Sequence, residues 1–324
     1  MESSRRQIRA FDLFCGAGGS SCGARQTGVE IAGGVDIWER AAETFALNFP
    51  QAKVYCKSVA GLSPRTVAKS IGPIDLLLAS PECTNHSVAK GGAPRCEESR
   101  RTAFEVIRFA KSWRPRWLVV ENVVSMRRWV SYSDWLRDLK AIGYNLQEYR
   151  LNAEDFGVAQ SRRRLFIVGD LKREPVRPRT QSRSKRSVKS IIDGDFGGAG
   201  FSYAFRPVFT ANRARPTLER VRRAIAEIGE KPFLLVYYGS DAAGGWQPLN
   251  RPLRTITTLD RFAYVRRKNG ELEMRMLQPP ELAAAMGFPA DYAWPQASRR
   301  ERIKLIGNAV APPVMEAIVH SQIS

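Results

Sequence analysis

The sequence predicts an α/β fold: a doubly wound, mostly parallel sheet with a smaller second domain. Three observations carry this. Over the first half, short aliphatic runs alternate with longer stretches of helical spacing. The run Ile74-Asp75-Leu76-Leu77-Leu78-Ala79 is short and mostly branched aliphatic, as suits a strand buried on both faces. After Asp170 the alternation stops, and residues 171–190 are rich in Lys, Arg, Ser and Pro with Glu174 the one acid.

The elements follow in order. Strands are expected over Arg9–Phe14, Val29–Asp36, Lys53–Cys56, Ile74–Ala79, Trp117–Glu121, Gln147–Leu151 and Leu165–Val168. Helices fit between them over Ser20–Gln26, Glu39–Asn48, Pro64–Ile71, Glu97–Ser112 and Ser133–Ile142. The last two strands follow one another without a helix, so one sheet edge is expected to be antiparallel. Residues 1–170 form the first domain on this reading. Residues 171–275, with the glycine-rich stretch Gly194–Gly200 and an arginine-rich stretch from Arg206 to Arg223, form the second. From 276 to 324 helical patterns return over Pro280–Met286, Ser298–Leu305 and Pro313–Ser321, and this segment is expected to pack back on the first domain.

The chain of 324 residues is 44% hydrophobic, enough for a substantial core. Its 51 Lys and Arg outweigh 32 Asp and Glu, a net charge of +19 that points to a polyanionic partner. Five scattered cysteines (Cys15, Cys22, Cys56, Cys83, Cys96) argue against a disulfide framework and for a reducing, cytoplasmic setting. No secretory leader is expected, and apolar runs such as Phe233–Tyr238 are too short to span a membrane. Cys83 and His86 have ligand-like spacing and Cys96 lies nearby, but no second clear pair completes a zinc site, so no metal is expected.

Ligands of open α/β sheets gather beyond the carboxyl ends of strands, and the candidate residues sit there. Ser80-Pro81-Glu82-Cys83-Thr84 follows the fourth strand, where Cys83 is placed as a nucleophilic thiolate would be. The first strand runs into Phe14-Cys15-Gly16-Ala17-Gly18-Gly19-Ser20, a loop whose glycines admit a ligand close to the backbone. A dinucleotide fingerprint would need glycine at position 21, where Ser21 stands. Asp36 ends the second strand at the distance where an acid meets a ribose. A nucleoside cofactor without a pyrophosphate, such as S-adenosylmethionine, fits that description. Glu121 ends another strand beside apolar residues, where a carboxyl can be held protonated. Arg162 and Arg164 precede Leu165–Gly169 on one face, placed to meet a base carbonyl or phosphates. Asn308, in Gly307-Asn308-Ala309-Val310, caps the last helix or contacts a ligand.

In order, these segments resemble the DNA (cytosine-5) methyltransferase family. The resemblance rests on Asp12–Gly19, Pro81-Glu82-Cys83, Glu121-Asn122-Val123, Gln160–Arg164, Arg251–Thr258 and Gly307–Val310, and it spans nearly the whole chain. It implies methyl transfer from S-adenosylmethionine to C5 of a cytosine flipped out of duplex DNA, through a covalent bond from Cys83 to C6. It makes residues 1–170 the catalytic domain and 171–275 the target-recognition domain. Glu121 would hold N3 and the exocyclic amine, Arg164 the base carbonyl, and Arg162 would support the pocket and the thiolate. Phe14, Gly16, Gly18, Gly19, Asp36, Ile37, Ser58, Val59 and Asn308 would surround the cofactor, with Phe14 and Ile37 on the adenine and Asp36 on the ribose. The resemblance further implies a monomer at the nucleoid and a cognate restriction endonuclease as partner.

Two departures stand out. Glu82 intervenes where the family has Pro directly before Cys, with Thr84 where it has Gln, and Ser58-Val59 stands where it often carries an acid. A carboxylate beside the thiol raises its pKa unless it points away. A tRNA cytosine-5 methyltransferase of the same fold, or a relative that binds DNA without catalysis, are the alternatives. An amino-methyltransferase would carry a Pro-Pro-aromatic turn that Ser80-Pro81-Glu82 lacks, and an NAD(P) oxidoreductase is opposed by Ser21.

Overall fold

The computed structural model describes residues 6–81, 97–180, 185–192, 204–238 and 244–324. Seven strands form one sheet: β1 (Arg9–Leu13), β2 (Glu30–Asp36), β3 (Lys53–Cys56), β4 (Leu76–Ala79), β5 (Trp117–Asn122), β6 (Asn145–Asn152) and β7 (Arg163–Asp170). Their order is β3-β2-β1-β4-β5-β7-β6. The pairs from β3 through β5 are parallel, whereas β7 runs antiparallel to both β5 and β6. The central strands are apolar on both sides because helices cover both: Leu76, Leu77, Leu78, Leu118, Val119 and Val120 are all buried.

The expected and observed strands agree to within a few residues, and the first boundary has a physical reason. β1 stops at Leu13 because Phe14 turns into the left-handed region at φ 58°. For a residue with a Cβ that costs about 1–2 kcal/mol, a strain that tends to persist at functional turns.

Helices α1 (Gly19–Gln26), α2 (Glu39–Asn48), α3 (Pro64–Ile71), α4 (Glu97–Trp113) and α5 (Tyr132–Ala141) connect these strands. α3 has an N-cap in Ser63, whose side chain accepts from the Thr66 N–H, and a proline in its first turn. After α6 (Lys189–Ile192), a second sheet forms with order β10-β9-β11-β12-β8. It comprises β8 (Arg206–Pro207), β9 (Phe233–Val236), β10 (Trp246–Pro248), β11 (Phe262–Lys268) and β12 (Glu271–Met276), all antiparallel. Helix α7 (Arg215–Ile228) packs Val221 and Ala224 onto Phe233, Leu235 and Val265 of that sheet.

Three helices end the chain: α8 (Pro279–Met286), α9 (Arg299–Asn308) and α10 (Pro312–Ile323). α10 lies on α1 so closely that a Cβ on Gly23 would fall 2.2 Å from the Pro312 carbonyl oxygen. A buried ion pair joins the second sheet to this segment. Both Arg275 terminal nitrogens meet the Glu281 carboxylate at 2.7 Å. No helix among the described residues is long and apolar enough to cross a membrane.

Candidate active site

β1 has β2 on one side and β4 on the other, so the strand order reverses there. Such a switch point opens a crevice beyond the carboxyl ends, because the two connections leave in opposite directions. Here the crevice is bordered by the loop after β1, by Asp36 at the end of β2 and by Ser80-Pro81 after β4. Cys83, with Glu82 and Thr84, lies outside the described residues. The approach to it is held in place: the Ser80 N–H donates to the Leu13 carbonyl at 3.1 Å, and Asn122 Nδ2 donates to the Pro81 carbonyl at 3.1 Å.

The glycine loop is ordered by the neighbouring strand. Asp36 Oδ2 accepts the Gly16 N–H at 2.9 Å and Oδ1 accepts the Trp38 N–H at 2.8 Å. One carboxylate thereby ties the loop to the entry of α2. Gly16 has φ +54° and open space where a side chain would stand. Gly18, at φ +80°, and Gly19 are required by packing instead. Their Cβ atoms would meet Phe49 and Tyr292 at 2.8 Å and the Val310 carbonyl oxygen at 2.1 Å. The glycines therefore divide: one leaves room beside the crevice, and two let the C-terminal segment approach.

Around this loop the expected cofactor residues are distributed unequally. Ile37 is 66% exposed although aliphatic, and it follows Asp36 at the crevice. Phe14 is half-buried against the core under the sheet. Ser58 is exposed, whereas the Val59 side chain is buried in that core. Asn308 is exposed as the last residue of α9, and the N-cap of α10 is Ala311, so Asn308 does not cap the last helix.

Glu121, Arg162 and Arg164 come together. β7 pairs antiparallel with β5, so Glu121 lies opposite Phe166 and Asn122 opposite Leu165. This register carries the start of β7 to the carboxyl end of β5. All three side chains line one cavity with Phe166 and Val310. Arg164 Nε contacts Glu121 Oε1 at 3.1 Å. Glu121 is only 8% exposed, and burial pushes its carboxyl upward against the opposing pull of Arg164 and Arg162.

Arg162 differs from Arg164 in its partners. It is 3% exposed, and its terminal nitrogens donate to the carbonyls of Ile256 at 3.0 Å, Gly307 at 2.9 Å and Ala309 at 3.1 Å. Its own N–H is held by Asn152 Oδ1 at 2.8 Å. A planar fork of donors suits several carbonyls at once. Arg162 thus ties β7 to the 253–258 segment and to the end of α9. The same segment exchanges backbone bonds with residues 159 and 161, and a Cβ on Gly307 would sit 2.2 Å from the Thr257 oxygen.

Asp12 and Asn122 stand in the sequence motifs, but the motifs assign no role to either. Asp12 is fully buried in β1, where Ser21 Oγ donates to its Oδ2 at 2.8 Å. Burial pushes its carboxyl up to about 7, against the Ser21 bonds and with the Asp36 charge adding to the rise. An acid inside an otherwise apolar strand was the available signal.

With this geometry in view, the comparisons with known proteins agree on one family. The family described as C-5 cytosine-specific DNA methylase matches residues 8–324. The type II methyltransferase M.DdeI of Desulfomicrobium norvegicum is 30% identical over 171 residues, which are 50% of this chain but 40% of that protein. M.HgiDI of Herpetosiphon aurantiacus is 26% identical over 317 residues, covering 94% of this chain and 90% of the relative. Among solved structures, the Entamoeba histolytica methyltransferase EhMeth superposes with a TM-score of 0.70 over 98% of both chains, at 14% identity, which speaks for the fold. A doubly wound sheet with its reversal at β1, a glycine loop tied to an acid, a Glu-Arg pair at the end of β5 and a family match over nearly every residue lead to one conclusion: the chain belongs to the C-5 cytosine-specific DNA methylase family.

Proposed function

We propose that this chain methylates C5 of a cytosine flipped out of duplex DNA, with S-adenosylmethionine as donor and Cys83 as nucleophile, as the modification enzyme of a restriction-modification system. The observation that carries the reading is the pairing of buried Glu121 with half-buried Arg164 at the carboxyl end of β5. A base removed from the stack needs hydrogen-bonding partners for its polar edge, and a carboxyl and a guanidinium in an apolar-walled cavity supply both kinds.

The crevice suits the cofactor. Gly16 leaves open space, Ile37 offers an exposed apolar face for a purine, and Asp36 has acceptor capacity beyond its two N–H partners. S-adenosylmethionine, when bound, supplies an electrophilic methyl group on a positively charged sulfur. Asp36 is assigned to the ribose hydroxyls, Ile37 and Phe14 to the adenine, and Asn308 to the rim. Ser58 and the Val59 backbone are assigned to the adenine edge.

The remaining steps belong to the protein and the base. C5 of cytosine is a weak nucleophile. The Cys83 thiolate adds to C6 and pushes electron density onto C5, which takes the methyl group. The C5 proton then leaves to solvent, its bonding electrons form the C5–C6 double bond, and the C6–S bond breaks to return the thiolate to Cys83. Glu121, whose carboxyl burial pushes upward against the pull of Arg164 and Arg162, meets N3 and the exocyclic amine and stabilises the charge that addition builds on the ring. Arg164 holds the base carbonyl and orients Glu121. Arg162 keeps both in place through the carbonyls it grips. The net charge of +19 favours the polyanion that carries the base. The enzyme acts as a monomer at the nucleoid, and its partner is a cognate endonuclease.

The test is a trapping experiment. The chain is mixed with S-adenosylmethionine and duplex DNA in which 5-fluorocytosine replaces cytosine, and in parallel with fluorinated RNA. Fluorine at C5 blocks the elimination, so a covalent complex on DNA that maps to Cys83 is expected. An adduct on RNA alone, or on Cys15 or Cys22, refutes the assignment.

A further inference from the structure

We propose that Arg213, Arg220 and Arg261, which converge on Tyr237 at one end of the second sheet, form a clamp for the phosphodiester backbone of duplex DNA beside the base pocket. The inference deepens the reading of the chain as a DNA methyltransferase and rests on it.

The first argument is convergence. Tyr237 directly follows β9. Arg261 Nη1 donates to its carbonyl at 3.0 Å, and the Tyr237 N–H donates to the Arg261 carbonyl at 2.9 Å. The Arg220 guanidinium, from α7, lies 5.6 Å from the centre of the Tyr237 ring. Burial pushes the Tyr237 phenol up, against the opposing pull of Thr217 in the first turn of α7, of Arg213 and of Arg220. Three cations from three segments thus surround one half-buried tyrosine. The described acids nearest them are engaged elsewhere: Asp260 pairs with Arg299 at 2.7 Å, and Glu219 with Arg215 at 2.9 Å. Among the described residues neither Arg213 nor Arg261 forms an ion pair. Cations held close together repel, and an anion bound between them offsets that cost.

The second argument is that the side chains are already fixed. Arg213 Nε and Nη2 donate to the carbonyls of Val208 at 3.1 Å and Pro207 at 2.8 Å. Arg220 lies along the Gly245 backbone, where a Cβ would fall 2.5 Å from its Nε. Bonds to carbonyls hold a guanidinium without neutralising it. Of the five donors on each fork, bonds to described groups use two on Arg213 and one on Arg261. A fork held in place loses little freedom when a phosphate arrives. Side chains pinned against their own surface suit the backbone of a duplex, whereas reading base edges needs side chains that reach into a groove.

The third argument is position. Tyr238, the next residue, donates its hydroxyl to the Thr255 carbonyl at 2.8 Å, and Arg162 donates to the neighbouring Ile256 carbonyl at 3.0 Å. Arg162 in turn lines the cavity with Glu121 and Arg164. Arg261 stands five residues past Ile256, so at most about 18 Å separates their Cα atoms. Successive phosphates of one strand advance about 3.4 Å along the duplex, so backbone within about five base pairs of the flipped base comes into reach.

The experiment is fluorescence anisotropy of the full chain with two labelled duplexes of unrelated mixed sequence, between 50 and 200 mM NaCl. Each phosphate contact adds about 0.9 to the slope of log affinity against log salt, which is about 3.5-fold over that range. The Arg213→Gln/Arg261→Gln double variant should therefore lose about twelvefold less affinity than the wild type across the range, equally on both duplexes. Arg137→Gln removes a charge that is 72% exposed on α5 and should keep the wild-type slope. A second measurement needs no variant. Phenylglyoxal modification of the wild type, mapped by peptide mass, should show Arg213, Arg220 and Arg261 protected by DNA and Arg137 not. The wild-type slope in a folded double variant, an equal change in Arg137→Gln, or a loss confined to one duplex overturns the clamp. So does equal modification of the three arginines with and without DNA. Each of these leaves the methyltransferase reading intact, whereas a wild type that binds neither duplex overturns both.

Discussion

Replacing Arg162 by methionine separates a structural tie from a substrate contact. The side chain is 3% exposed and its guanidinium serves the carbonyls of Ile256, Gly307 and Ala309. Methionine has nearly the same reach but no donor. A buried acceptor left without its donor costs about 1–3 kcal/mol, and hydrogen bonds from a charged group lie at the upper end. Three carbonyls lose their partner together. They share one guanidinium and relax together, so the losses do not add, and about 3–5 kcal/mol is expected. Arg162→Lys keeps the charge but not the fork, and should cost about half as much. The Arg164 side chain is 18% exposed and its ion pair faces the cavity, so Arg164→Met should cost about 1–2 kcal/mol. Equilibrium urea unfolding of the three variants beside the wild type is the assay, read as the shift in midpoint. The order expected is wild type, Arg164→Met, Arg162→Lys and Arg162→Met, with the middle two close. An Arg162→Met protein that unfolds with the wild type yet fails to methylate would refute the tie and make Arg162 a substrate contact.

Two further substitutions follow from the same packing. Gly307→Ala places a Cβ 2.2 Å from the Thr257 carbonyl oxygen, backbone against side chain with no flexible end to yield, and should lower stability by about 1–3 kcal/mol, read as an earlier urea midpoint. Asp12→Asn should stabilise the ligand-free chain at high pH. The native acid titrates near 7 against an ordinary 3.8, so the native state binds more protons between those values and wild-type stability falls as pH rises through that window. The variant does not bear this cost. Its advantage, measured by urea unfolding, should be nil near pH 4 and grow to at most about 4 kcal/mol at pH 8.

The first half of the fold was legible because its strands are buried on both faces. Ile74–Ala79 and Trp117–Glu121 are too uniformly apolar for any half-exposed element, and the helices between them repeat their apolar residues at helical spacing. The second sheet was not legible. β8 has two residues, β10 has three, and β12 alternates charged with apolar side chains, so none stands out from an arginine-rich background. α9 also runs three residues past its expected end, and that moves Asn308 from the mouth of α10 to the close of α9.

The residue types and their order by themselves determined the chemistry available to this chain. A thiol after a buried strand, a carboxyl at the end of another, paired arginines and a glycine loop with an acid one strand away are all local facts, because each depends on a strand ending where the chain says it ends. Only the tertiary structure decided how these groups divide their work. Glu121 and Arg164 meet because β7 pairs antiparallel with β5 as well as with its sequence neighbour β6, and the β5–β7 pairing joins residues more than 40 apart. Arg162 and Arg164 look alike in the sequence, two residues apart. One turns inward to three carbonyls and the other faces the cavity, because the 253–258 segment and the end of α9 close over the first. Asp12 acquires its charge problem in the same way: an ordinary acid in the sequence, it is enclosed by Ser21, Cys15 and Asp36 once α1 and β2 pack around it.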